Sequence, residues 1–221
     1  MRNDKQDHAT LVGEHRLDEK VLDVLHSYHR RIDEERRDPR PEAPGGRDGG
    51  QDQRMRAVGP ETGRFLNILV RSLTAPTILE LGTSFGYSGI WLAEAARATG
   101  GRVITMEVHG YKSAYAQAMA ETAGLAEHID FRVGDAVAMI RELRGKVDFV
   151  LVDLWKDLYL PCLEAFYPKL NAGAIIVADN MIYPATEDVK IYARAIRTRP
   201  GITSVLLPVG SGLEVSRYEP A

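Results

Sequence analysis

Residues 77–99, TILELGTSFGYSGIWLAEAARAT, decide the fold. A short, mostly apolar run comes first, a loop with Gly82 and Gly86 follows, and apolar residues then recur at helical spacing. A buried strand, a glycine-containing loop and a helix in that order predict one unit of an α/β sheet. Glycines in such a loop let a ligand approach the backbone closely.

The same alternation of strand and helix continues toward the C-terminus. It appears in RVITMEV with SAYAQAMAETAGL, IDFRVG with DAVAMIRELRG, VDFVLVD with LYLPCLEAFYPKL, and AGAIIVAD with DVKIYARAIRT. Short apolar runs separated by helices are typical of a parallel sheet covered on both faces. The tail, ITSVLLPVGSGLEVSRYE, has two strands joined by a Gly-rich turn, so we expect the last strand to run antiparallel. The prediction is a Rossmann-like, doubly wound α/β fold with a mostly parallel seven-stranded sheet.

The N-terminal region is expected to be an appendage to this sheet. Apolar residues from Leu17 to Ile32 recur at helical spacing and predict an amphipathic helix from about Leu17 to Arg37. The next stretch, RDPRPEAPGGRDGGQDQ, is dense in Pro, Gly and charge, and predicts a mobile linker or lid. We therefore divide the chain into residues 1–53, a helix plus flexible segment, and residues 54–221, one α/β domain. The segment GPETGRFLNILVRSL predicts a helix with Pro60 in its first turn and Phe65, Leu66, Leu69 and Val70 on its apolar side.

Composition narrows the class of partner. The formal net charge is −3 and the sequence pI is near 6.1, which argues against nucleic acid and against an anionic membrane surface. No apolar run approaches the length of a bilayer span, and the polar opening is unlike a signal peptide. Cys162 is the single cysteine, so it forms no internal disulfide. A cytoplasmic protein with a small-molecule partner is expected.

Acids follow five successive predicted strands: Glu80, Glu107, Asp135, Asp153 and Asp179. In an open α/β sheet, ligands bind outside the carboxyl ends of the strands. Any one of these acids could simply cap a helix or stabilise a turn. Together, however, they would give one edge a strong negative field unless a cation or a cationic ligand lies there.

The loop after the first strand indicates which nucleotide-like ligand to expect. It lacks the GxGxxG pattern that seats a pyrophosphate, which disfavours a dinucleotide-dependent oxidoreductase. Glu107, at the end of the second strand, is placed to accept hydrogen bonds from both hydroxyls of a ribose. A nucleoside without a diphosphate is therefore suggested, and S-adenosylmethionine (SAM) is one that carries a positive sulfonium.

Asp153, Asp179 and Asn180 are candidate metal ligands. They offer three oxygen donors with no histidine or cysteine nearby in the sequence, which suits a hard cation such as Mg²⁺ better than zinc. Lys156 follows three residues after the first of them. At the mouth of a partly dry pocket it could act as a general base, whereas on a helix surface it would only be a solvated charge.

Several motifs resemble one known family. The segments ILELGTSFGYSG, VITMEV, VDFVLVDLWKDLYLP, IIVADNMIYP and GSGLE are similar, in order and spacing, to the cation-dependent class I SAM O-methyltransferases of the catechol O-methyltransferase type. The likeness runs from about Val58 to Tyr218. It implies methyl transfer to one hydroxyl of a catechol-like acceptor, with Lys156 as the base and a divalent cation held by Asp153, Asp179 and Asn180.

The resemblance also assigns further positions. It implies cofactor contacts at Val58, Gly82, Ser84, Ser88, Glu107, Ala136 and Trp155, together with the strand-end acids Glu80, Asp135 and Asp153. It implies an acceptor site formed by Lys156, Asn180, Pro184 and Glu214. The family's catechol enzymes have a histidine where this chain has Leu154 and polar residues where it has Ala136 and Val137, so adenine contacts here should be more apolar.

Two alternatives remain at this point. The acceptor could be a larger phenolic ester or natural-product intermediate, shaped by a lid between Asp38 and Gln53. A module that binds a nucleoside without turnover is the second alternative, although it would have no need of three cation ligands and Lys156. The N-terminal helix could cover the cofactor or form a homodimer contact, and sequence does not decide between them.

Overall fold

The computed structural model describes residues 17–37 and 52–220. Its centre is a seven-stranded sheet with the strand order β3-β2-β1-β4-β5-β7-β6. The strands are β1 (Thr77–Leu81), β2 (Arg102–Glu107), β3 (Ile129–Val133), β4 (Val147–Val152), β5 (Leu170–Ala178), β6 (Ile202–Leu207) and β7 (Leu213–Tyr218). Strands β1 to β5 pair in parallel, and β7 pairs antiparallel with both β5 and β6. The predicted doubly wound sheet with an antiparallel last strand is confirmed.

Helices cover both faces of the sheet. Those of the described residues are α1 (Glu19–Arg37), α2 (Pro60–Arg71), α3 (Tyr87–Thr99), α4 (Gly110–Thr122), α5 (Ala136–Glu142), α6 (Tyr159–Phe166) and α7 (Glu187–Arg197). Short 3₁₀ turns occupy Ala126–His128, Lys156–Leu158 and Tyr167–Lys169. Helices α1 to α4 contribute to the core on one face, and α5 to α7 contribute to the core on the other.

Strand alternation explains the two cores. Successive side chains of a strand point to opposite faces, so Ile78 packs with α1 to α4 whereas Leu79 packs with α5 to α7. Both residues are fully buried, as are most residues of β4. Burial on both faces is the reason that these strands appear in the sequence as nearly continuous apolar runs.

Helix α1 shares the core of the α/β unit. Val21, Val24, Leu25 and Tyr28 are buried in it, and the Tyr28 hydroxyl donates to the carbonyl oxygen of Phe85 at 2.6 Å. The linker predicted between Asp38 and Gln53 lies outside the described residues, except for Asp52 and Gln53. Among the helices of residues 17–37 and 52–220, none combines the length and the apolar character needed to cross a bilayer.

Candidate active site at the carboxyl edge of the sheet

Strand register brings the strand-end residues to one edge. Val152 pairs with Leu81 and with Ala178, so the next residues along, Asp153 and Asp179, emerge side by side. Their backbone amides continue the sheet, since Asp153 N donates to Leu81 O at 2.9 Å and Asp179 N to Val152 O at 3.0 Å. The edge predicted from the sequence therefore forms.

A cavity of about 640 Å³ lies along this edge. That volume is typical of small-molecule sites. Predicted site residues in its wall are Gly82, Ser84, Glu107, Asp135, Ala136, Asp153, Trp155, Lys156, Asp179, Asn180 and Pro184. The structure therefore brings the expected metal ligands, the expected base and seven of the ten expected cofactor residues into one cavity.

Gly82 shapes the floor of the cavity between β1 and β4. Its φ is +102°, which a side chain rarely adopts, and a Cβ there would collide with the carbonyl oxygen of Asp153. Glycine is required at this position because the loop after β1 passes directly against the end of β4.

Glu107 is fixed by backbone donors on two sides. Its Oε2 accepts from Ser84 N at 2.8 Å, and its Oε1 accepts from His109 N at 3.0 Å. The Nδ1 of His109 lies 3.1 Å from the same Oε1. A carboxylate held in this way is pre-oriented toward the cavity, as the assignment to a ribose requires.

Lys156 lies among the proposed metal ligands. Its Nζ is 2.6 Å from Asn180 Oδ1, 2.7 Å from the hydroxyl of Tyr159 and 3.2 Å from Leu154 O. The distance from Nζ to Asp153 Oδ1 is 3.6 Å. The side chain of Lys156 is only 20% exposed. It is therefore not the solvated surface charge that was one of the two alternatives for this residue.

The two aspartates lie in an environment that favours a bound positive charge. Burial, followed by the negative charge of Asp153, raises the pKa of Asp179. Burial also raises the pKa of Asp153, while the charges of Lys156 and Arg56 act in the opposite direction. A carboxyl group whose ionised form is disfavoured in this way gains from a nearby cation.

Glu80 and Ser88 do not line the cavity. Glu80 is fully buried beneath the loop, where it accepts hydrogen bonds from Ser88 Oγ at 2.6 Å and Thr105 Oγ1 at 2.5 Å. Strand alternation turns its side chain toward α3, where Gly89 leaves room for it. Burial raises the pKa of Glu80 to about 7.

Val58 and Glu214 also lie outside the cavity wall. Arg56 and Ala57 line it, and Val58 is one residue further along. Glu214 is buried in β7, with its carboxylate held by Arg197 Nε at 2.7 Å and by Ser204 Oγ at 2.7 Å. Its position next to Ala178 in the register brings its backbone to the edge, but its side chain is occupied by these partners.

Sequence reasoning missed several residues of this site. His109 lines the cavity, and its buried Nε2 has no hydrogen-bond partner among the residues that the structure describes. Lys112 lines it from one turn into α4 and is 5% exposed. The hydroxyl of Tyr159 accepts a hydrogen bond from Lys156 Nζ. Their position in the sequence could have indicated a role, because His109 and Lys112 follow Glu107 at the point where a helix begins at the ligand-binding edge of the sheet.

The fold places the chain in the Rossmann-like α/β class, and solved O-methyltransferases share it. An O-methyltransferase from Streptomyces achromogenes involved in tomaymycin synthesis, solved in complex with SAM, has a TM-score of 0.71 and 25% identity, covering 91% of this chain and 90% of that one. An O-methyltransferase from Bacillus cereus in complex with S-adenosylhomocysteine (SAH) has a TM-score of 0.72 at 23% identity, covering 91% of each chain, and supports the fold alone.

A family model described as O-methyltransferase matches residues 50–218, so the chain belongs to the O-methyltransferase family. Catechol O-methyltransferase from Mus musculus is 33% identical over 144 residues, which is 62% of this chain and 54% of that protein. Caffeoyl-CoA O-methyltransferase 2 from Eucalyptus globulus is 28% identical over 186 residues, covering 74% of this chain and 75% of that protein. The chain spans about half the length of the catechol O-methyltransferases from Mus musculus and Bos taurus that it matches.

Proposed function

We propose that this protein transfers a methyl group from SAM to one hydroxyl of a catechol-like or other vicinal-diol phenol. A divalent cation assists the reaction, and Lys156 is the general base. The observation that carries the proposal is the convergence of Lys156 Nζ on Asn180 Oδ1 at 2.6 Å and on Asp153 Oδ1 at 3.6 Å. Both lie in the cavity that also contains Glu107. Membership of the O-methyltransferase family supports the reaction type.

The cofactor is assigned to the half of the cavity near β1, β2 and β3. Glu107 would accept hydrogen bonds from the ribose hydroxyls, and Gly82 and Ser84 would lie against the methionine part. Ala136 and Trp155 offer apolar surface for the adenine, as the absence of polar side chains at positions 136 and 137 predicts. Asp135 lines the same part of the cavity but also caps α5, since its Oδ1 accepts from Ala138 N at 2.7 Å.

The cation is assigned to Asp153, Asp179 and Asn180. Among the described residues no third carboxylate, histidine or cysteine joins the two aspartates, so the donor set contains only oxygen and suits Mg²⁺. When bound there, a divalent cation would act as a Lewis acid for the acceptor oxygens. Asn180 Oδ1 also accepts from Lys156 in this structure, so the ammonium supplies the positive charge beside the aspartates.

Lys156 would take the proton of the acceptor hydroxyl nearest the donor methyl group. The oxygen then forms a bond to the methyl carbon, the carbon–sulfur bond breaks, and SAH and the methyl ether leave. Proton transfer by a positioned side chain contributes about two to four powers of ten in rate. Tyr159 is a positioning residue here, because its hydroxyl accepts from Lys156 Nζ and donates to Asp179 O at 3.0 Å.

A larger phenolic ester is the second candidate acceptor. The relatives named caffeoyl-CoA O-methyltransferase favour it, and the cavity wall includes Pro184 and the exposed side chain of Tyr183. A module without turnover is disfavoured, because it would have no use for a base placed among cation ligands. A cytoplasmic location and a homodimer stay predictions, which cell fractionation and light scattering would test.

Methyl transfer from labelled SAM, with Mg²⁺ and either catechol or caffeoyl-CoA, tests the proposal. We expect turnover with at least one acceptor, and Lys156→Met should lower kcat by at least about a hundredfold while leaving the affinity for SAH unchanged. Lys190→Met, which removes an exposed lysine of α7, is the matched control and should behave as the wild type. Equal turnover of the Lys156→Met variant would remove Lys156 from the mechanism.

A further inference from the structure

His109 lies beside Glu107 in the wall of the cavity, directly before helix α4. Its side chain is 13% exposed, and its Nδ1 is 3.1 Å from Glu107 Oε1. The backbone N–H of His109 donates to the same oxygen at 3.0 Å. Two nitrogens of one residue therefore contact one oxygen of the carboxylate that we assign to the ribose.

The position of His109 in the chain could suggest a helix cap. It is the N-cap residue of α4, and its carbonyl oxygen accepts from Lys112 N and Ser113 N, each at 3.1 Å. A capping side chain accepts a hydrogen bond from the backbone of the first turn of its helix. The imidazole makes no such bond within the described ranges. Its contact with Glu107 therefore needs a different explanation.

The surroundings of the imidazole determine which of its nitrogens carries hydrogen. An ionised carboxylate can only accept hydrogen bonds, so Nδ1 must be the donor to Glu107 Oε1. Hydrogen on Nε2 would instead be a buried donor without an acceptor, because Nε2 has no hydrogen-bond partner in the part of the chain that the structure describes. The geometry therefore requires the tautomer with hydrogen on Nδ1.

Tyr111 packs against the imidazole of His109. The two ring centroids are 5.4 Å apart, and the ring planes are inclined at 52°. The hydroxyl of Tyr111 donates to the carbonyl oxygen of Asp52 at 3.1 Å, which fixes the tyrosine in turn. A ring that is held by packing and by a hydrogen bond is a pre-organised support for the group it contacts.

The carboxylate of Glu107 is held at both oxygens. Ser84 N donates to Oε2 at 2.8 Å, while the backbone and the ring of His109 donate to Oε1. Two of these three donors are backbone groups, and the third is the imidazole Nδ1–H. Without the third donor, the carboxylate would have more freedom to turn, and ordering it when the ribose binds would weaken binding.

We propose that His109 is a positioning residue of the cofactor site, whose Nδ1–H fixes the Glu107 carboxylate and so raises the affinity for the adenosine part of SAM. This inference rests on the proposed function, in which Glu107 binds the ribose. A hydrogen bond to a charged group contributes more than one between neutral groups. The tautomer of His109 and the affinity for the cofactor are two separate measurements of this one contact.

Two complementary variants separate the hydrogen bond from ring packing in calorimetry with SAH. His109→Phe keeps an aromatic ring against Tyr111 but has no donor, and it should weaken SAH binding by about tenfold. His109→Asn has no ring but carries an amide N–H on the atom bonded to Cγ, as Nδ1 is, and it should recover most of that loss. Weaker binding by His109→Asn than by His109→Phe would assign the residue to packing and overturn the proposal.

His128→Phe is the matched control. His128 also lies beside an acid, with its Nε2 3.7 Å from Glu127 Oε1, but it does not line the cavity. The variant should bind SAH as the wild type does. A tenfold loss in this variant would show that replacing a histidine beside an acid weakens SAH binding without any contact with Glu107, and would overturn the proposal.

Coupling to Glu107 distinguishes a positioning role from a general structural role. In the Glu107→Ala background, His109→Phe should change SAH affinity by less than about twofold, because the group that His109 positions is absent. A loss of about tenfold in both backgrounds would show that His109 acts independently of Glu107 and would overturn the proposal.

Nitrogen-15 NMR of the imidazole tests the contact in the wild type, without cofactor and without a variant that could fail to fold. The His109 signals, identified by their absence from the spectrum of His109→Asn, should show hydrogen on Nδ1 and none on Nε2. A bare Nδ1 would contradict the inference, whatever the activity.

The same binding data separate failure of this inference from failure of the proposed function. Unchanged SAH affinity in Glu107→Ala would refute the ribose assignment itself, and this inference with it. Weaker binding by Glu107→Ala together with wild-type binding by His109→Phe would overturn this inference alone.

Discussion

The buried acid beneath the cofactor loop makes a quantitative prediction about stability. Glu80 is fully buried, and its pKa is raised from an ordinary value of 4.5 to about 7, first by burial and then by the charges of Asp153 and Glu107, against its two hydroxyl hydrogen bonds. Replacement by glutamine keeps the shape and removes the ionisation. We therefore expect Glu80→Gln to stabilise the protein in a pH-dependent way.

The sign and size follow from proton linkage. Between about pH 4.5 and pH 7 the folded protein holds a proton on Glu80 that the unfolded chain has lost, so the stability of the wild type falls as pH rises through this range and then levels off. A raised value of about 7 implies a total loss of about 3 kcal/mol. Between pH 5 and pH 8 the stability gap between Glu80→Gln and the wild type should widen by roughly 2 to 3 kcal/mol.

Urea denaturation of both proteins at pH 5 and pH 8, with chelator present, measures that gap. The pKa shifts of Asp153 and Asp179 affect both proteins, so they largely cancel in the comparison. Glu61→Gln, which changes an exposed acid of α2, controls for the loss of one surface carboxylate. A Glu80→Gln gap that is constant with pH, or that narrows toward pH 8, would refute the reasoning. SAH affinity should not change, because Glu80 does not line the cavity.

Three further predictions concern the cavity. Tyr159→Phe removes both hydrogen bonds of a hydroxyl that supports Lys156, and steady-state kinetics should show kcat lowered by about ten- to a hundredfold with SAH affinity kept; an unchanged kcat would show that Lys156 needs no such support. Gly82→Ala should abolish SAH binding in calorimetry or prevent folding. Gly145 also has a positive φ but has open space around it, so Gly145→Ala should cause only backbone strain. Equal behaviour of the two variants would contradict the collision with Asp153. Glu107→Gln should weaken SAH binding by about ten- to a hundredfold, and an unaltered dissociation constant would undo the ribose assignment.

The sequence predicts the centre of the sheet well because its central strands, such as β1 and β4, are buried on both faces. Such a strand appears in the sequence as an apolar run, and the run is followed by an acid or a glycine. The parallel order of the strands then places Glu107, Asp153 and Asp179 at one edge. The Gly-rich turn between the last two strands predicts the antiparallel β7 in the same way. Local patterns were sufficient for these features.

Side-chain direction was harder to predict. Glu80 ends its strand like the other acids, but the alternation of β1 turns it into the core, and nothing in its neighbours signals this except the small Gly89 beside it. Glu214 is similarly drawn away by Arg197, a partner on another element. The placement of Arg56 in the cavity wall depends on hydrogen bonds that join the neighbouring residues Gln53 and Met55 to α1, across a large sequence separation. No local pattern encodes such contacts.

The most direct test of the central claim is the cation dependence of methyl transfer to a catechol. Protein freed of metal with a chelator is assayed with labelled SAM while Mg²⁺ is added back, and Asp179→Asn is treated in parallel. We expect negligible turnover without cation, saturable recovery with Mg²⁺, and a requirement for at least about tenfold more Mg²⁺ in the variant. Turnover of the chelator-treated protein at the rate of the Mg²⁺-supplied protein would contradict the central claim.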